Sequence, residues 1–279
     1  MDIFHAIVLG IVEGVTEFLP ISSTGHLTIV EKLLGYKIDD AGITAFTAII
    51  QIGAIAAAVW YFRRDFVRII SAWAKGLLSA SARKDPDYKY GWAIIIGSVP
   101  IAIVGFVFRH TIETTFRSLW WVAGALIAWS VVLWLADRFA SQTRTEKEVT
   151  WKDTLMIGVA QCLALIPGVS RSGATMSAGL FAGLDRVTVT RLSFFLGIPA
   201  LVAAGAMEAV TKYNDIDVPT IGWTPTIVAT VVSGIVGYLS IAWLLKFVSR
   251  HNFHAFVIYR IALGLVIIML LTSGAIAAN

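Results

Sequence analysis

Long apolar segments alternate with short polar segments along most of the chain. Six of them are apolar over the roughly 17–25 residues that a helix needs to cross a bilayer. They run at about 43–62, 91–108, 119–136, 192–210, 226–248 and 255–275, and they predict six transmembrane helices. Between residues 66 and 82 the apolar positions follow one face of a helix instead, which predicts an amphipathic helix on the membrane surface.

Two further segments, about 3–34 and 153–184, are each divided by a polar turn that contains Pro and Gly. The arms beside each turn are short, so each segment predicts a re-entrant helix-turn-helix hairpin that enters and leaves the membrane on the same side. Non-helical backbone at that depth is tolerated only where it is buried in protein or faces a water-filled cavity.

The two hairpins are similar in sequence. Residues 10–25 align without a gap with residues 158–173, and three predicted spans follow each hairpin. An odd number of crossings per repeat inverts the second copy, and broken elements of inverted repeats meet near the midplane. The predicted fold is therefore an all-α polytopic membrane protein, one domain over 1–279, with an inverted-topology repeat of about 1–138 and 150–279.

Composition agrees with this fold, because 57% of the residues are hydrophobic and 14% are charged, against about 25% charged in soluble domains. Fifteen Lys and Arg lie in the loops of one predicted face. Five lie on the other face: Lys32, Lys37, Arg109, Arg117 and Lys212. The positive-inside rule makes the first face cytoplasmic, so both termini are predicted on the outer, periplasmic face. The net charge of +4 reflects this topology, and no nucleic-acid partner is expected.

Most of the candidate chemistry lies in the first hairpin, over EGVTEFLPISSTGH, Glu13–His26. A polar cluster within membrane-grade sequence is costly and is by default a functional site. Glu13 and Glu17 are four residues apart and share one helix face. They predict a divalent-metal site, or a metal ligand and a base. The alternative is a hydrogen-bonded polar face that lines a vestibule.

A run of hydroxyl residues follows Pro20: Ser22, Ser23, Thr24, then Gly25 and His26. Backbone amides and hydroxyls at the start of a helix can bind an anion. A tight turn would also bring the ring of His26 to the hydroxyl of Ser23, which suggests a base and a nucleophile. The alternative is that the hydroxyls only cap a helix.

The second turn carries Ser170, Arg171, Ser172 and Gly173. The planar fork of Arg171 suits bidentate contact with phosphate. Its alternative role is a salt bridge to Glu13 or Glu17, and the two roles are compatible, since a phosphate and a metal could lie between a positive and a negative turn.

Three other polar side chains lie within predicted spans. Gln51 and Ser98 are interpreted as helix-packing residues. Arg260 lies about five residues into the last span and is interpreted as reaching the membrane interface along its own side chain, with a substrate role left open.

At its two turns the sequence resembles a known family. EGVTEFLPISSTGH and QCLALIPGVSRSGAT are similar to the two signatures of the undecaprenyl-diphosphate phosphatases of the bacitracin-resistance type, and the resemblance covers essentially the whole chain. It implies an enzyme that releases the terminal phosphate of undecaprenyl diphosphate, which recycles the lipid carrier of cell-wall synthesis and gives bacitracin resistance.

The functional residues of that family fall on Glu13, Glu17, Ser23, His26 and Arg171. The resemblance implies a divalent cation, Mg²⁺ or Ca²⁺, a bacterial inner-membrane location and a site open to the periplasm. The expected mechanism has Arg171 and the turn amides holding the phosphates, Ser23 attacking phosphorus and His26 taking its proton. Two other mechanisms stay open: His26 as the nucleophile, or direct attack by water with Glu17 as the base.

A transporter or lipid flippase is the alternative function, because inverted repeats with broken helices are also a transporter plan and a fold does not decide function. The discriminating feature is the pair Ser23 and His26 opposite Arg171, which transport would not require. The sequence leaves the oligomeric state open, a homodimer included, as well as the preferred tail length.

Overall fold

The computed structural model describes residues 1–37, 40–115, 118–211, 216, 221–276 and 278. In this part of the chain the regular structure is helical, apart from an isolated bridge between Arg144 and Leu184. The α-helices are α1 Ile3–Thr16, α2 Ser23–Leu33, α3 Ala41–Tyr61, α4 Arg63–Leu78, α5 Pro86–Thr115, α6 Leu119–Phe139, α7 Trp151–Gln161, α8 Arg171–Phe181, α9 Arg186–Thr211, α10 Trp223–Val248 and α11 His254–Thr272.

Six of these helices are long and apolar enough to cross a membrane: α3, α5, α6, α9, α10 and α11. The six predicted spans are confirmed, and the chain is an all-α polytopic membrane protein. The helices differ most from the predicted spans at the end of α5, which extends to Thr115, and at the first turns of α5 and α9, which begin at Pro86 and Arg186. These first turns are polar, so the apolar pattern alone does not show that the helix extends there.

The predicted amphipathic helix is α4, which begins at Arg63. Its buried residues are Ile69, Ala72 and Gly76, and a Cβ at Gly76 would overlap the ring of Tyr88 in α5. The opposite face exposes apolar side chains, Val67, Ile70 and Leu77 among them. Its placement on a membrane surface stays a prediction.

Both predicted helix-turn-helix hairpins are present. The first consists of α1 and α2 with a turn over 17–22, and the second of α7 and α8 with a turn over 162–170 that opens with a short 3₁₀ helix. Re-entry from one side and inversion of the repeat stay predictions. Arg117 and Lys212, two of the charges used to predict orientation, lie outside the described residues.

Each hairpin packs on a span of the other half of the chain. Helix α1 lies against α10 and α7 lies against α5, and glycines allow the close approach. A Cβ at Gly14 would lie 2.7 Å from the carbonyl oxygen of Ser233. A Cβ at Gly158 would overlap the carbonyl oxygen of Gly97. This reciprocal packing carries both turns into the interior of the bundle.

The largest buried cluster packs against the first turn. Phe18 and Leu19 are buried with Phe194 and Phe195 of α9, and the rings of Phe18 and Phe194 meet edge to face with centroids 5.4 Å apart. Such aromatic contacts add to the free energy of burial, so the turn is held by packing as well as by hydrogen bonds.

Candidate active site

The two turns end in the same local conformation. Ser22 and Ser170 have φ angles of 76° and 74°, which are uncommon for residues other than glycine. Each caps the helix that follows: the amide of Gly25 donates to Ser22 Oγ at 3.4 Å and that of Gly173 to Ser170 Oγ at 3.2 Å. Ser22 therefore caps α2, and the hydroxyl of Ser23 is left available for other contacts.

The structure brings the two turns together. Arg171 Nη2 donates to Glu17 Oε1 at 3.0 Å, so the salt bridge considered for Arg171 is present, on Glu17. Ser172 Oγ donates to the carbonyl oxygen of Leu19 at 2.8 Å, and it also lies 3.1 Å from Ser170 Oγ. The positive turn and the negative turn thus form one cluster.

Glu17 accepts hydrogen bonds from three side chains, although it is only 5% exposed. Besides Arg171, it accepts from Ser23 Oγ at 2.7 Å and from Gln51 Nε2 at 3.4 Å, both on Oε2. The interpretation of Gln51 as a packing residue missed this contact. The signal that could have found it is an amide in the middle of a span, because a polar group at that depth needs a partner.

His26 lies in the same hairpin but contacts different residues. Its Nδ1 lies 2.7 Å from the carbonyl oxygen of Ser22 and its Nε2 lies 2.7 Å from the hydroxyl of Tyr259. A carbonyl only accepts, so Nδ1 carries the proton, and Nε2 of the neutral ring accepts from Tyr259. The two rings are stacked, with centroids 5.5 Å apart. Both ring nitrogens are engaged, and neither contacts Ser23.

Arg260 corrects one interpretation. It is fully buried, at 0% exposure, so it does not reach the membrane interface. Its Nη1 donates to the carbonyl oxygen of Pro20 and its Nη2 to those of Gly168 and Val169, and Nε donates to Ser130 Oγ. The turns offer carbonyl acceptors, and Arg260 turns inward to meet them.

A cavity of about 540 Å³ opens beside the cluster. Its polar end is lined by Glu17, Ser22, Ser23, Thr24, Gln51, Ser98, Ser170 and Arg171. The other walls are mostly apolar side chains of α5, the second turn and α9. Glu13, Gly25, His26, Ser172 and Gly173 are not among the residues that line the cavity. A cavity with one charged end and apolar walls suits an amphiphilic ligand.

Glu13 is the candidate metal ligand. It is 1% exposed, and its Oε1 has no hydrogen-bond partner within the described part of the chain. The same residues contain no group of three or more His, Cys, Asp or Glu that could hold a metal ion. Mg²⁺ is commonly bound by one or two carboxylates together with phosphate oxygens and water. Glu13 and Glu17 therefore fit a cation that is completed by a phosphate ligand.

Comparison with known proteins agrees with the resemblance at the two turns. A family model described as bacitracin resistance protein BacA matches residues 6–266. The chain belongs to the BacA family. Because the match begins within α1 and ends within α11, it includes both turns, five of the spans in full and most of the sixth.

Relatives of this BacA-family chain align with it from end to end. Undecaprenyl-diphosphatase 3 of Frankia casuarinae is 59% identical over 279 residues, 100% of both chains. Undecaprenyl-diphosphatase of Cutibacterium acnes is 61% identical over 284 residues, again 100% of both chains. Undecaprenyl-diphosphatase 1 of Streptomyces avermitilis is 50% identical over 278 residues, 99% of each chain.

Proposed function

We propose that this chain is an integral membrane phosphatase that hydrolyses undecaprenyl diphosphate to undecaprenyl phosphate and inorganic phosphate. One observation carries the proposal: the hydrogen-bonded pair of Ser23 and Glu17 and the guanidinium of Arg171 reach the same cavity from two different hairpins. The names of the full-length relatives support the choice of substrate.

Arg171 is the main phosphate ligand of the proposed site. Its Nη2 donates to Glu17, whereas its Nη1 is buried and has no acceptor within the described residues. A phosphate oxygen in the cavity would supply that acceptor in a charge-assisted bond. Helices α2 and α8 both begin at the cavity, so the amides near Thr24, Gly25, Ser172 and Gly173 add partial positive charge.

The hydrogen bond from Ser23 Oγ to Glu17 Oε2 supports Glu17 as the proton acceptor in this mechanism. Ser23 Oγ attacks the terminal phosphorus as its proton passes to Glu17 Oε2, and the bond from phosphorus to the bridging oxygen breaks. Undecaprenyl phosphate leaves and a phosphoserine remains at Ser23. Water then attacks the phosphoserine, Ser23 recovers its proton, and inorganic phosphate is released. His26 holds the Ser22 carbonyl and thereby the first turn.

A divalent cation, Mg²⁺ or Ca²⁺, would be held by Glu13 together with Glu17 and would neutralise phosphate charge. The unpartnered carboxylate oxygen of Glu13 supports this assignment. A chelator should therefore lower activity without changing the fold.

The polyprenyl tail is expected along the apolar walls of the cavity. These walls include Ile101 and Phe106 of α5, Leu165 of the second turn and Leu201 of α9. Burial of apolar surface contributes about 25 cal/mol per Å², so several isoprene units would provide much of the substrate affinity.

For the topology, we propose re-entrant hairpins, an inverted repeat and termini on the periplasmic side of a bacterial plasma membrane. The site would open toward the periplasm. The reciprocal packing of α1 on α10 and α7 on α5 supports a repeat whose halves exchange hairpins. Cysteine labelling from each side of sealed vesicles would test the orientation. A homodimer stays a prediction.

The test of function is phosphate release from undecaprenyl diphosphate by purified protein with and without chelator. We expect activity in the wild type and a loss of about a hundredfold or more in Ser23→Ala, which removes the nucleophile. Ser240→Ala is the matched control, since Ser240 Oγ donates only within its own helix, to the Val236 carbonyl. A wild type that moves the lipid across vesicles but releases no phosphate would establish the transporter alternative instead.

A further inference from the structure

The guanidinium of Arg260 is buried without a carboxylate. Arg260 is 0% exposed, and its hydrogen-bond acceptors in the described part of the chain are three carbonyl oxygens and one hydroxyl. Taking a charge out of water costs several kcal/mol, which is normally offset by an ion pair. A buried arginine that lacks such a pair points to a geometric requirement for its fork of donors.

The fork joins the two hairpins. Nη1 donates to Pro20 O at 2.9 Å in the first turn. Nη2 donates to Gly168 O at 2.9 Å and to Val169 O at 3.1 Å in the second turn. Because the guanidinium is planar and rigid, one side chain fixes the distance between two turns that lie far apart in sequence.

The guanidinium is itself held from a third helix. Nε donates to Ser130 Oγ of α6 at 3.0 Å, and Ser130 is also fully buried. Ser130 Oγ in turn donates to the Leu126 carbonyl of its own helix. The orientation of the fork is therefore set by α6 and α11 together.

We infer that Arg260 is a positioning residue that holds the two turns at the separation at which Ser23 and Arg171 face one cavity. Two bonds join the turns directly, from Arg171 to Glu17 and from Ser172 Oγ to the Leu19 carbonyl. A phosphate would compete for the donors of Arg171, and the hydroxyl of Ser172 provides a single donor to a single carbonyl, whereas Arg260 bonds three carbonyls of the two turns. Three of the four bonds of Arg260 go to backbone carbonyls, those of Pro20, Gly168 and Val169. Of these three residues only Gly168 lines the cavity, so the bonds need not change when substrate binds.

The catalytic consequence rests on the proposed function. In Arg260→Lys the charge remains, but an ammonium group cannot bridge both turns as the fork does. A misplacement of about 1 Å can cost about a hundredfold in rate. We expect kcat for phosphate release to fall by about tenfold to a hundredfold, with KM changed by less than about threefold, since most of the apolar walls that would hold the tail belong to α5 and α9, which Arg260 does not bond.

A second readout does not depend on the function. Val169 is 4% exposed, so a cysteine at this position, in a Cys162→Ala background, should react slowly with a small methanethiosulfonate. If Arg260 holds the turns, Arg260→Lys should increase that labelling rate by about tenfold through local opening. The melting temperature of Arg260→Lys should stay within a few degrees of the parent protein.

Ser130→Ala and Ser240→Ala form a matched pair. Each serine is buried and donates to the carbonyl four residues earlier in its own helix, but only Ser130 also accepts from Arg260. Ser130→Ala should raise the labelling rate and lower kcat by about threefold, and Ser240→Ala should change neither. If Arg260→Lys fails to fold, this pair decides the question by the same two readouts.

Unchanged labelling and unchanged kcat in Arg260→Lys would overturn the inference. A raised KM with unchanged labelling would also overturn it, by making Arg260 a substrate ligand. A wild type that releases no phosphate would remove the proposed function alone, and the labelling rates would still decide whether Arg260 holds the turns.

Discussion

The first hairpin, α1 and α2, and the second hairpin, α7 and α8, end their turns in the same way but present different side chains. Ser22 and Ser170 share a left-handed conformation and the same capping bond. At the aligned positions that bear on the chemistry, the pairs are Glu13 and Gln161, Glu17 and Leu165, Ser23 and Arg171, and His26 and Ala174. The common backbone therefore does not determine what each hairpin contributes.

The difference shows that the proposed site belongs to neither hairpin alone. The first supplies the carboxylates and the hydroxyl, and the second supplies the cation that pairs with Glu17. Two acidic turns would repel each other at this distance, and two basic turns would leave the nucleophile without a proton acceptor. Substitutions that make the hairpins more alike should therefore remove activity, and they provide direct tests of the comparison.

The largest effect is expected when the second turn receives the residue of the first. Arg171→Ser removes the phosphate ligand and leaves Glu17 without its ion pair, and we expect phosphate release to fall by about a thousandfold. Steady-state kinetics on purified protein measure this loss. Arg171→Lys keeps the charge without the fork of donors, so its activity should lie between those of the wild type and Arg171→Ser. If Arg171→Ser kept more than about a tenth of the activity, the composite site would be wrong.

A smaller effect is expected when the first hairpin receives the residue of the second. Glu13→Gln removes one carboxylate from the proposed cation site, and we expect a loss of about a hundredfold, partly recovered at high Mg²⁺. A titration of activity against Mg²⁺ measures both.

The aligned residue of the second hairpin supplies the control for Glu13→Gln. Gln161 is 0% exposed and neither atom of its amide has a partner within the described residues. Gln161→Leu should therefore leave activity within about twofold and leave the melting temperature unchanged or higher, because replacing an unsatisfied buried polar group with an apolar one is nearly neutral or stabilising. Equal losses of activity in Glu13→Gln and Gln161→Leu would remove the distinction between the hairpins.

The sequence was sufficient for the spans, for the positions of both turns and for the meeting of the turns, because these follow from apolar length, from Pro and Gly, and from the repeat. It was not sufficient for the hydrogen-bond partners. The spacing of Ser23 and His26 suggested a pair, but His26 bonds to Tyr259, 233 residues away, and Ser23 bonds to Glu17. Such contacts depend on how distant helices pack, which local spacing does not encode.

Arg260 is a second residue whose hydrogen-bond partners the sequence did not indicate. Its distance from the end of the last span suggested contact with the membrane interface, yet three of the four acceptors named above come from turns 240 and about 90 residues away. Carbonyl groups carry no signal in the sequence, because every residue has one. A buried arginine that bonds to carbonyls can therefore be found only once the fold is known.

The smallest expected effect concerns how the guanidinium of Arg171 is positioned. Arg171 crosses α9 at Gly197, where a Cβ would overlap its Nη1. Since the clash is with the end of a flexible side chain, Gly197→Val should displace Arg171 and raise KM for undecaprenyl diphosphate by about tenfold, with little change in melting temperature. Gly124→Val is the neutral control, because in the described part of the chain no atom beyond the neighbouring residues and backbone of its own helix lies within 4 Å of a Cβ there. At Gly53 the Cβ would overlap the backbone of Thr230, so Gly53→Val should lower the melting temperature instead. A Gly197→Val protein with the KM of the wild type would show that Arg171 reaches the phosphate by a path that does not cross α9.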